Sequence, residues 1–324
     1  MQKYAPKQRF VERMKLLLND EDDVKKFFSA AETIPRKSIR VNTLKIDPFA
    51  LQKRLEQKGW VLRQPFTAHP EILIVESELV PGELGRSIEH LLGYFYIQEI
   101  TSMLPLLVLA PREGDFFLDL CASPGSKTTQ AAALMHNRGT IIANDVSMGR
   151  ISILIANLER CGVSNTIVTR HGGIELAEKL QKQEFVFNKI LVDAPCSGEG
   201  NIRSSPRTYL EWSEGLLGAL SRKQKKLARS VVPLLRHDGE FVYSTCTHAP
   251  EENEEVVQFL VDTFDLEIFD IRDRLPEELK TRPGISSWQG RSFHPSLKHA
   301  VRLYHHDNNS EGFFICAMRK KRQS

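Results

Sequence analysis

The chain has 324 residues, a formal charge of +3, and a composition that is 41% hydrophobic and 26% charged. This is the profile of a soluble protein with one large domain, or one domain plus a small one. No stretch approaches the roughly 18–20 apolar residues of a membrane span, and the opening residues lack the apolar core of a signal peptide. Five scattered cysteines with no CxxC pair exclude a disulfide framework and argue against structural zinc, so the thiols read as reduced and cytoplasmic.

In chain order, helices are predicted at residues 8–18 and 21–31, followed by a strand at 38–44. A helix at 47–59 has Asp47 as its N-cap, Pro48 in its first turn and Gly59 at its end. Strands at 60–62 and 71–75 complete a small α+β unit that extends to about residue 90. From about residue 93 the rhythm changes. Strands at 116–120, 140–143, 166–169, 189–193 and 240–243 alternate with helices such as 150–161, which predicts an open, mostly parallel α/β sheet. Residues 197–217 show no period and read as a long functional or mobile loop. Residues 312–318 read as a closing strand, followed by the basic run 319–322.

Ligands of open α/β sheets sit at the carboxyl ends of the strands. The first strand of this sheet runs into Asp119-Leu-Cys-Ala-Ser-Pro-Gly125-Ser-Lys-Thr-Thr129, a tight turn with Gly125 where backbone can approach a ligand. The turn lacks the first glycine of a dinucleotide motif or a P-loop, which argues against a dinucleotide and against ATP. Asp145 follows about 20 residues on, where an acid can hold both hydroxyls of a ribose; its alternative role is to cap the next helix. A ribose site without a phosphate cradle points to S-adenosylmethionine.

Two further strand ends carry thiols. Cys196 lies in Asp193-Ala-Pro-Cys-Ser-Gly198 and Cys246 in Tyr243-Ser-Thr-Cys-Thr247. Such turns are poor places for core filler, whereas Cys161 and Cys316 read as buried hydrophobes and Cys121 as packing beside the cofactor. Two thiols and the Asp193 carboxylate are therefore expected in one cleft. Thiols suit an enzyme that adds a soft nucleophile to a ring and later expels it. One thiol must attack and a second group can assist release; the residues alone do not say which is which. The acidic run Glu251-Glu-Asn-Glu-Glu255 reads chiefly as a first helical turn favoured by the helix dipole.

The motifs Asp119–Thr128, Asp193–Gly200, Ser244–Thr247 and Glu251–Glu255 together resemble the RsmB/NOP/Sun (NSUN) family of RNA cytosine-5 methyltransferases. Supporting matches are Arg40-Val-Asn-Thr-Leu-Lys45, Tyr94-Phe-Tyr-Ile-Gln-Glu99 and Gly312-Phe-Phe314, so the resemblance covers about residues 36–320. It implies a Rossmann-like class I methyltransferase sheet with helices on both faces, preceded by a small α+β, RRM-like domain. Residues 1–92 would form the N-terminal RNA-binding part and residues 93–324 the methyltransferase domain.

By the same resemblance, Cys121, Ala122, Ser123, Pro124, Gly125, Ser126 and Lys127 would hold the methionine end of S-adenosylmethionine. Asp145 would take the ribose, with Arg150 nearby, and Asp193 would lie between cofactor and base. Gly172 stands where the family has an acid near the adenine, so that contact falls to backbone or His171, or is missing. Cys246 would add to C6 of the cytosine and Cys196 would assist release. Asp193 would bond the cytosine edge, and Lys127 would add a cation near the base or the cofactor. Glu252 or Asn253 would brace the Cys246 turn. No metal is implied. The expected partner is tRNA or rRNA, and the expected state is a cytoplasmic monomer with no membrane contact. The competing reading is a non-catalytic RNA-binding ribosome-assembly factor on the same fold, which would have no need of two thiols and Asp193. Because the sequence stops soon after Phe314, the extra C-terminal domains of some relatives are expected to be absent.

RNA binding needs cations for phosphate and aromatic rings for unstacked bases. Candidate cations are Arg36, Lys37, Arg40, Lys45, Arg203, Arg207 and the basic tail; Arg203 and Arg207 are favoured because they follow the Cys196 motif. The run 222–226 reads rather as a solvated helix face. Trp212, Trp288, Phe293 and Tyr304 are the candidate stacking rings, and His294, His299, His305 and His306 read as surface or RNA-contact histidines.

Overall fold

A computed structural model describes residues 4–321; Arg322, the last of the basic tail, lies outside them. The chain opens with α1 (Gln8–Leu18) and α2 (Glu21–Ala31). Asp20 caps α2 by accepting from the Asp23 N–H at 2.7 Å, and three acids fill the first turn. The apolar stripe of this hairpin, with Phe10, Met14, Phe27 and Ala31, does not face the small sheet that follows. It packs on Ile202, Tyr209, Trp212 and Tyr304 of the distant second half. Phe10 meets the rings of Tyr209 and Trp212 edge-on at 5.4 Å, and Arg13 pairs with Glu251 at 2.7 Å.

Next comes a small α+β unit. Its elements are β1 (Lys37–Val41), α3 (Pro48–Glu56), β2 (Leu62–Arg63), β3 (Ile72–Val75), α4 (Glu83–Arg86), α5 (Ile88–Leu91) and β4 (Phe95–Ile97). Asp47 caps α3 as expected, accepting from the N–H groups of Phe49 and Ala50. The sheet is antiparallel in the order β2-β3-β1-β4, and α3 buries Leu51 and Leu55 against Ile39, Trp60 and Phe95. Although β4 lies beyond residue 92, it pairs with β1 in this first sheet.

The large sheet begins after α6 (Ile100–Leu109), a helix the sequence reading does not anticipate. It is buried on nearly every side, so it carries no amphipathic period to detect. The alternation then proceeds as β5 (Phe116–Asp119), α7 (Ser126–Leu134), β6 (Thr140–Asn144), α8 (Met148–Cys161), β7 (Thr166–Thr169), α9 (Gly173–Lys182) and β8 (Phe187–Asp193). It continues through α10 (Thr208–Glu211), α11 (Glu214–Val231), β9 (Leu235–Thr245) and α12 (Glu254–Thr263). The remaining elements are β10 (Leu266–Ile268), β11 (Arg282–Pro283), the short pair β12 (Ser287–Trp288) and β13 (Arg291–Ser292), β14 (Val301–Leu303), α13 (His305–Asn308) and β15 (Phe313–Lys320).

The strand order is β11-β14-β15-β9-β8-β5-β6-β7, with β10 beside β15. Strands β5 to β9 run parallel, and β15 closes antiparallel on β9. One apolar layer packs Ile190 and Val192 against α9, α11 and α12; the other packs Phe117, Leu191 and Val242 against α6, α7 and α8. Helices therefore cover both faces, as the resemblance implies, and the carboxyl ends of β5, β6, β8 and β9 share one rim.

The segment expected to be a mobile loop is anchored. Arg203 is buried and donates to Ser310 O at 2.8 Å, Asn309 Oδ1 at 2.7 Å and both oxygens of Thr33. Tyr209 and Trp212 are buried, and the Trp212 indole donates to Glu199 at 2.6 Å. Its missing periodicity reflects short turns closed by long-range contacts, not freedom.

Candidate active site

The turn from Cys121 to Lys127 links β5 to α7. Gly125 has φ +103°, and a Cβ there would lie 2.9 Å from Leu154 Cδ1, so only glycine fits without strain. Beside the turn, a cavity of about 670 Å³ reaches Asp145 and Arg150 on one side and Gly172 on another, with Asp193, Cys196 and Cys246 at its inner end. That volume suits a cofactor. Asp145 is nearly fully buried; its carboxylate accepts from the Ser147 N–H at 3.0 Å and lies 3.3 Å from Arg150. The N-cap of α8 is Ser147, so the capping alternative for Asp145 does not hold. The Ser123 hydroxyl is buried with no partner, which leaves it available to a ligand. Donor, acceptor and volume thus fit S-adenosylmethionine.

At Gly172 an added Cβ would meet nothing closer than Glu175 Cβ at 4.0 Å, and its φ is an ordinary −56°. Neither backbone nor space demands glycine there. Gly172 is the N-cap of α9 with no side-chain cap bond, and it lines the larger cavity together with Gly173.

A second cavity of about 410 Å³ lies between the domains. Arg36, Lys37 and Tyr96 line it from the small domain, and Lys127, Asp193 and Phe313 from the large one. Ala122, Pro124 and Ser126 face this second cavity rather than the first, and Gly125 lines neither. Cys121, Ser123, Asp193, Ala194 and Cys246 are walls of both. Burial pushes the Cys121 thiol up to about 12, consistent with packing rather than reactivity.

At that junction the two thiols touch. Cys196 Sγ and Cys246 Sγ are 3.1 Å apart and unbonded. The hydrogen bond to Cys246, reinforced by burial, holds the Cys196 thiol well above the ordinary thiol range. Either sulfur can donate in this contact; with the proton held on Cys196, Cys246 is the acceptor. Cys246 faces both cavities, whereas Cys196 faces only the larger one. Asp193 is fixed from two sides: Lys127 Nζ sits 2.7 Å from Oδ2 and the Ser244 hydroxyl donates to Oδ1 at 2.8 Å. Lys127 also donates to Ser102 Oγ at 2.8 Å and stands 5.5 Å from the centre of the Phe313 ring.

Of the acidic run after Pro250, only Glu254 and Glu255 lie in the first turn of the helix. Glu252, Asn253 and Glu254 are fully buried, and α12 starts only at Glu254. Asn253 accepts from the Thr245 hydroxyl at 2.5 Å and donates to Thr247 O at 2.9 Å, bracketing Cys246. Glu252 holds the other turn, accepting from the Ser197 N–H at 3.0 Å and from Gln224 Nε2 at 2.7 Å. Burial, with Glu199 adding to it, raises the Glu252 carboxyl to about 7. Glu251 pairs with Arg13, and Glu254 pairs with the buried Arg302.

Several expected RNA contacts have other duties. Besides Arg203, Arg40 is buried and bonds Gln98, Ser126 and Thr129, while Lys45 donates to Leu92 O and Arg160 O. Trp212, Trp288, Phe293 and Tyr304 are all buried and offer no stacking platform. At the hairpin contact His305 is buried and bonds Phe27 O, and the half-buried His306 bonds Asp23. Among the described residues, Asp23, His306 and Asp307 have metal-like spacing, but the Arg282 guanidinium already bonds both carboxylates. The 222–226 run is only partly a solvated face: Arg222, Lys223 and Lys226 line the rim of the larger cavity. Arg36, Lys37 and Arg207 remain exposed, and Arg319 and Lys320 belong to β15. Sequence reasoning missed Ser102, Gln224 and Ser244; only Ser244 had a signal, its place two residues before Cys246. No helix among the described residues is long and apolar enough to cross a membrane.

Residues 106–319 match the family described as 16S rRNA methyltransferase RsmB/F, and residues 7–100 match the N-terminal domain of 16S rRNA methyltransferase RsmF. The chain is 39% identical to the tRNA (cytosine(49)-C(5))-methyltransferase of Pyrococcus abyssi, over 93% of each chain. It is 37% identical to the ribosomal RNA small subunit methyltransferase F of Erwinia tasmaniensis, over 96% of this chain but 63% of that one, and so spans less than two thirds of such relatives. Among solved structures, a methyltransferase homolog from Pyrococcus horikoshii superimposes with a TM-score of 0.79 at 31% identity, covering 97% of this chain and 99% of that one. NSun6 from the same organism, with SFG, gives 0.81 at 25% identity, covering 98% and 99%. Together with the two cavities that meet at Cys246, these matches establish that the chain belongs to the RsmB/F methyltransferase family, with S-adenosylmethionine as its cofactor.

Proposed function

We propose that the chain methylates C5 of a cytosine in RNA, either tRNA or rRNA, with Cys246 as the attacking thiol. The observation that carries this reading is the junction: Cys246 and Asp193 are walls of both cavities, while Cys196 lies behind Cys246 at 3.1 Å. C5 of cytosine is a poor nucleophile. Addition of the Cys246 thiolate to C6 drives electron density onto C5, which is then able to take a methyl group. S-adenosylmethionine, when bound in the larger cavity, supplies that methyl in electrophilic form.

The S–H of Cys196 supports a thiolate on Cys246 by donating to it. After methylation the C6–S bond breaks and the C5 proton leaves: Cys196 gives its proton to the departing Cys246 sulfur, and the resulting Cys196 thiolate takes the proton from C5. Asp193, oriented by Lys127 and Ser244, accepts from the N4 amino group of the base. Lys127 thus acts on the base through Asp193. The target base must leave its stack to reach the thiols, and Arg36 and Lys37 at the mouth of the inter-domain cavity are placed to meet flanking phosphates. In the larger cavity, Asp145 and Arg150 hold the ribose end, Cys121 and Ser123 face the sulfonium end, and the backbone at Gly172 meets the adenine.

Bisulfite sequencing of total RNA with and without the gene tests the reading. Loss of one protected cytosine in tRNA or rRNA is expected; an unchanged pattern overturns it.

A further inference from the structure

We propose that the small domain is part of the cofactor site, with Arg40 as a positioning residue that holds the carbonyls of the 123–126 turn and so fixes the segment whose Cys121 and Ser123 line the larger cavity. This rests on reading the larger cavity as the S-adenosylmethionine site. Four successive carbonyls of the turn are tied back. Arg150 Nη2 donates to Ser123 O at 2.6 Å, and Asn157 Nδ2 donates to Pro124 O at 2.9 Å. The Thr129 hydroxyl donates to Gly125 O at 2.8 Å, and Arg40 Nη1 donates to Ser126 O at 2.7 Å. Tyr96 OH is a second donor to Pro124 O, at 3.3 Å.

Two of these donors, Arg40 and Tyr96, come from the small sheet. Arg40 reaches further, because its Nη2 donates to Thr129 Oγ1 at 2.8 Å and so fixes the hydroxyl that holds Gly125. A guanidinium buried to 3% exposure is costly unless its donors are used. Here the two Nη groups are spent on the turn and on Gln98 of the neighbouring segment, while Nε is left without a partner. Asn42, on the same side of the interface, provides a contrast. It bonds Gly93 O and Cys161 O, each at 2.8 Å, and touches no part of the turn.

Titration calorimetry of the full chain with S-adenosylhomocysteine, alongside thermal melts, tests the proposal. Arg40→Met is expected to weaken binding roughly tenfold, given two charge-assisted bonds lost. Arg40→Lys should recover part of that loss, since one ammonium can meet Ser126 O but not Thr129 as well. Tyr96→Phe should cost roughly two- to threefold. Asn42→Ala should loosen the interface and lower the melting temperature while leaving the ligand affinity unchanged. A folded Arg40→Met that binds as wild type overturns the proposal, as does an Asn42→Ala that weakens binding as much as Arg40→Met. If Arg40→Met does not fold, wild-type affinity in both Arg40→Lys and Tyr96→Phe overturns it. A wild-type chain that binds no S-adenosylhomocysteine removes the cofactor reading and this proposal together.

Discussion

The turns after β8 and β9 each carry a thiol, and adjacent residues of one buried segment brace them differently. Cys246 is bracketed by Asn253, an amide that cannot titrate, through Thr245 and Thr247. Cys196 is held by Glu252, a carboxyl raised by burial to about 7, through Ser197. The turn assigned to attack thus has a fixed support, and the turn assigned to release has one whose charge varies near neutral pH. Two similar motifs on neighbouring strands are not equivalent once their supports are compared.

The strongest test of this asymmetry is to remove each thiol. Cys246→Ala should lower turnover by roughly a thousandfold or more and abolish the covalent adduct on RNA carrying 5-fluorocytosine. Cys196→Ala should also turn over poorly, by roughly a hundredfold, yet accumulate the adduct on denaturing gels. Exchanged phenotypes would reverse the assignment.

Next in size is the fixed support. Asn253→Ala strands the buried Thr245 hydroxyl and Thr247 carbonyl, and should cost about 1–3 kcal/mol in urea unfolding. It should slow adduct formation more than release. A variant as stable as wild type would show that Asn253 does not hold the turn.

The smallest effect concerns pH. The folded state holds the Glu252 proton to about 7, above the carboxyl's ordinary 4.5, so the folded state binds the proton more tightly than the unfolded chain. Stability from this group is complete below about 4.5 and drains away as pH rises through 7. Burial holds Asp119 and Glu311 at about 7 as well, so they add to the same slope. Glu252→Gln keeps an acceptor for Ser197 and should flatten part of the loss between pH 5 and pH 8, read as urea midpoints. An unchanged slope would show that Glu252 does not titrate in this window.

Much of the large sheet was legible because buried parallel strands read as short apolar runs, and the run 116–120 overruns β5 by a single residue. The thiol turns were legible because Pro, Ser, Thr and Gly at a strand end mark a site rather than a core. What escaped the sequence was long-range. Arg40 and Arg203 look like any RNA-facing cations, and only the fold shows that they are buried and spent on backbone carbonyls and side-chain oxygens. Trp212 looked like a stacking ring, yet its indole serves Glu199. Helix α6 was silent because a helix buried all round has no polar face to set its period. For Glu252 and Asn253, composition suggested a helix start; their division between two turns rests on contacts that cross from the segment before α12 to the turn after β8 and to the end of β9.

The docking of the N-terminal hairpin has a consequence for biosynthesis. Phe10, Met14 and Phe27 find their partners at Ile202, Tyr209, Trp212 and Tyr304, and Arg13 finds Glu251 across 238 positions. At roughly 5–20 residues per second, a ribosome needs on the order of ten seconds or more to deliver that surface. Throughout that interval the small sheet is able to close on itself while the first helices wait with an uncovered apolar stripe. The hairpin is thus made well before the surface that seats it, and its apolar stripe must be kept from other partners in the interval.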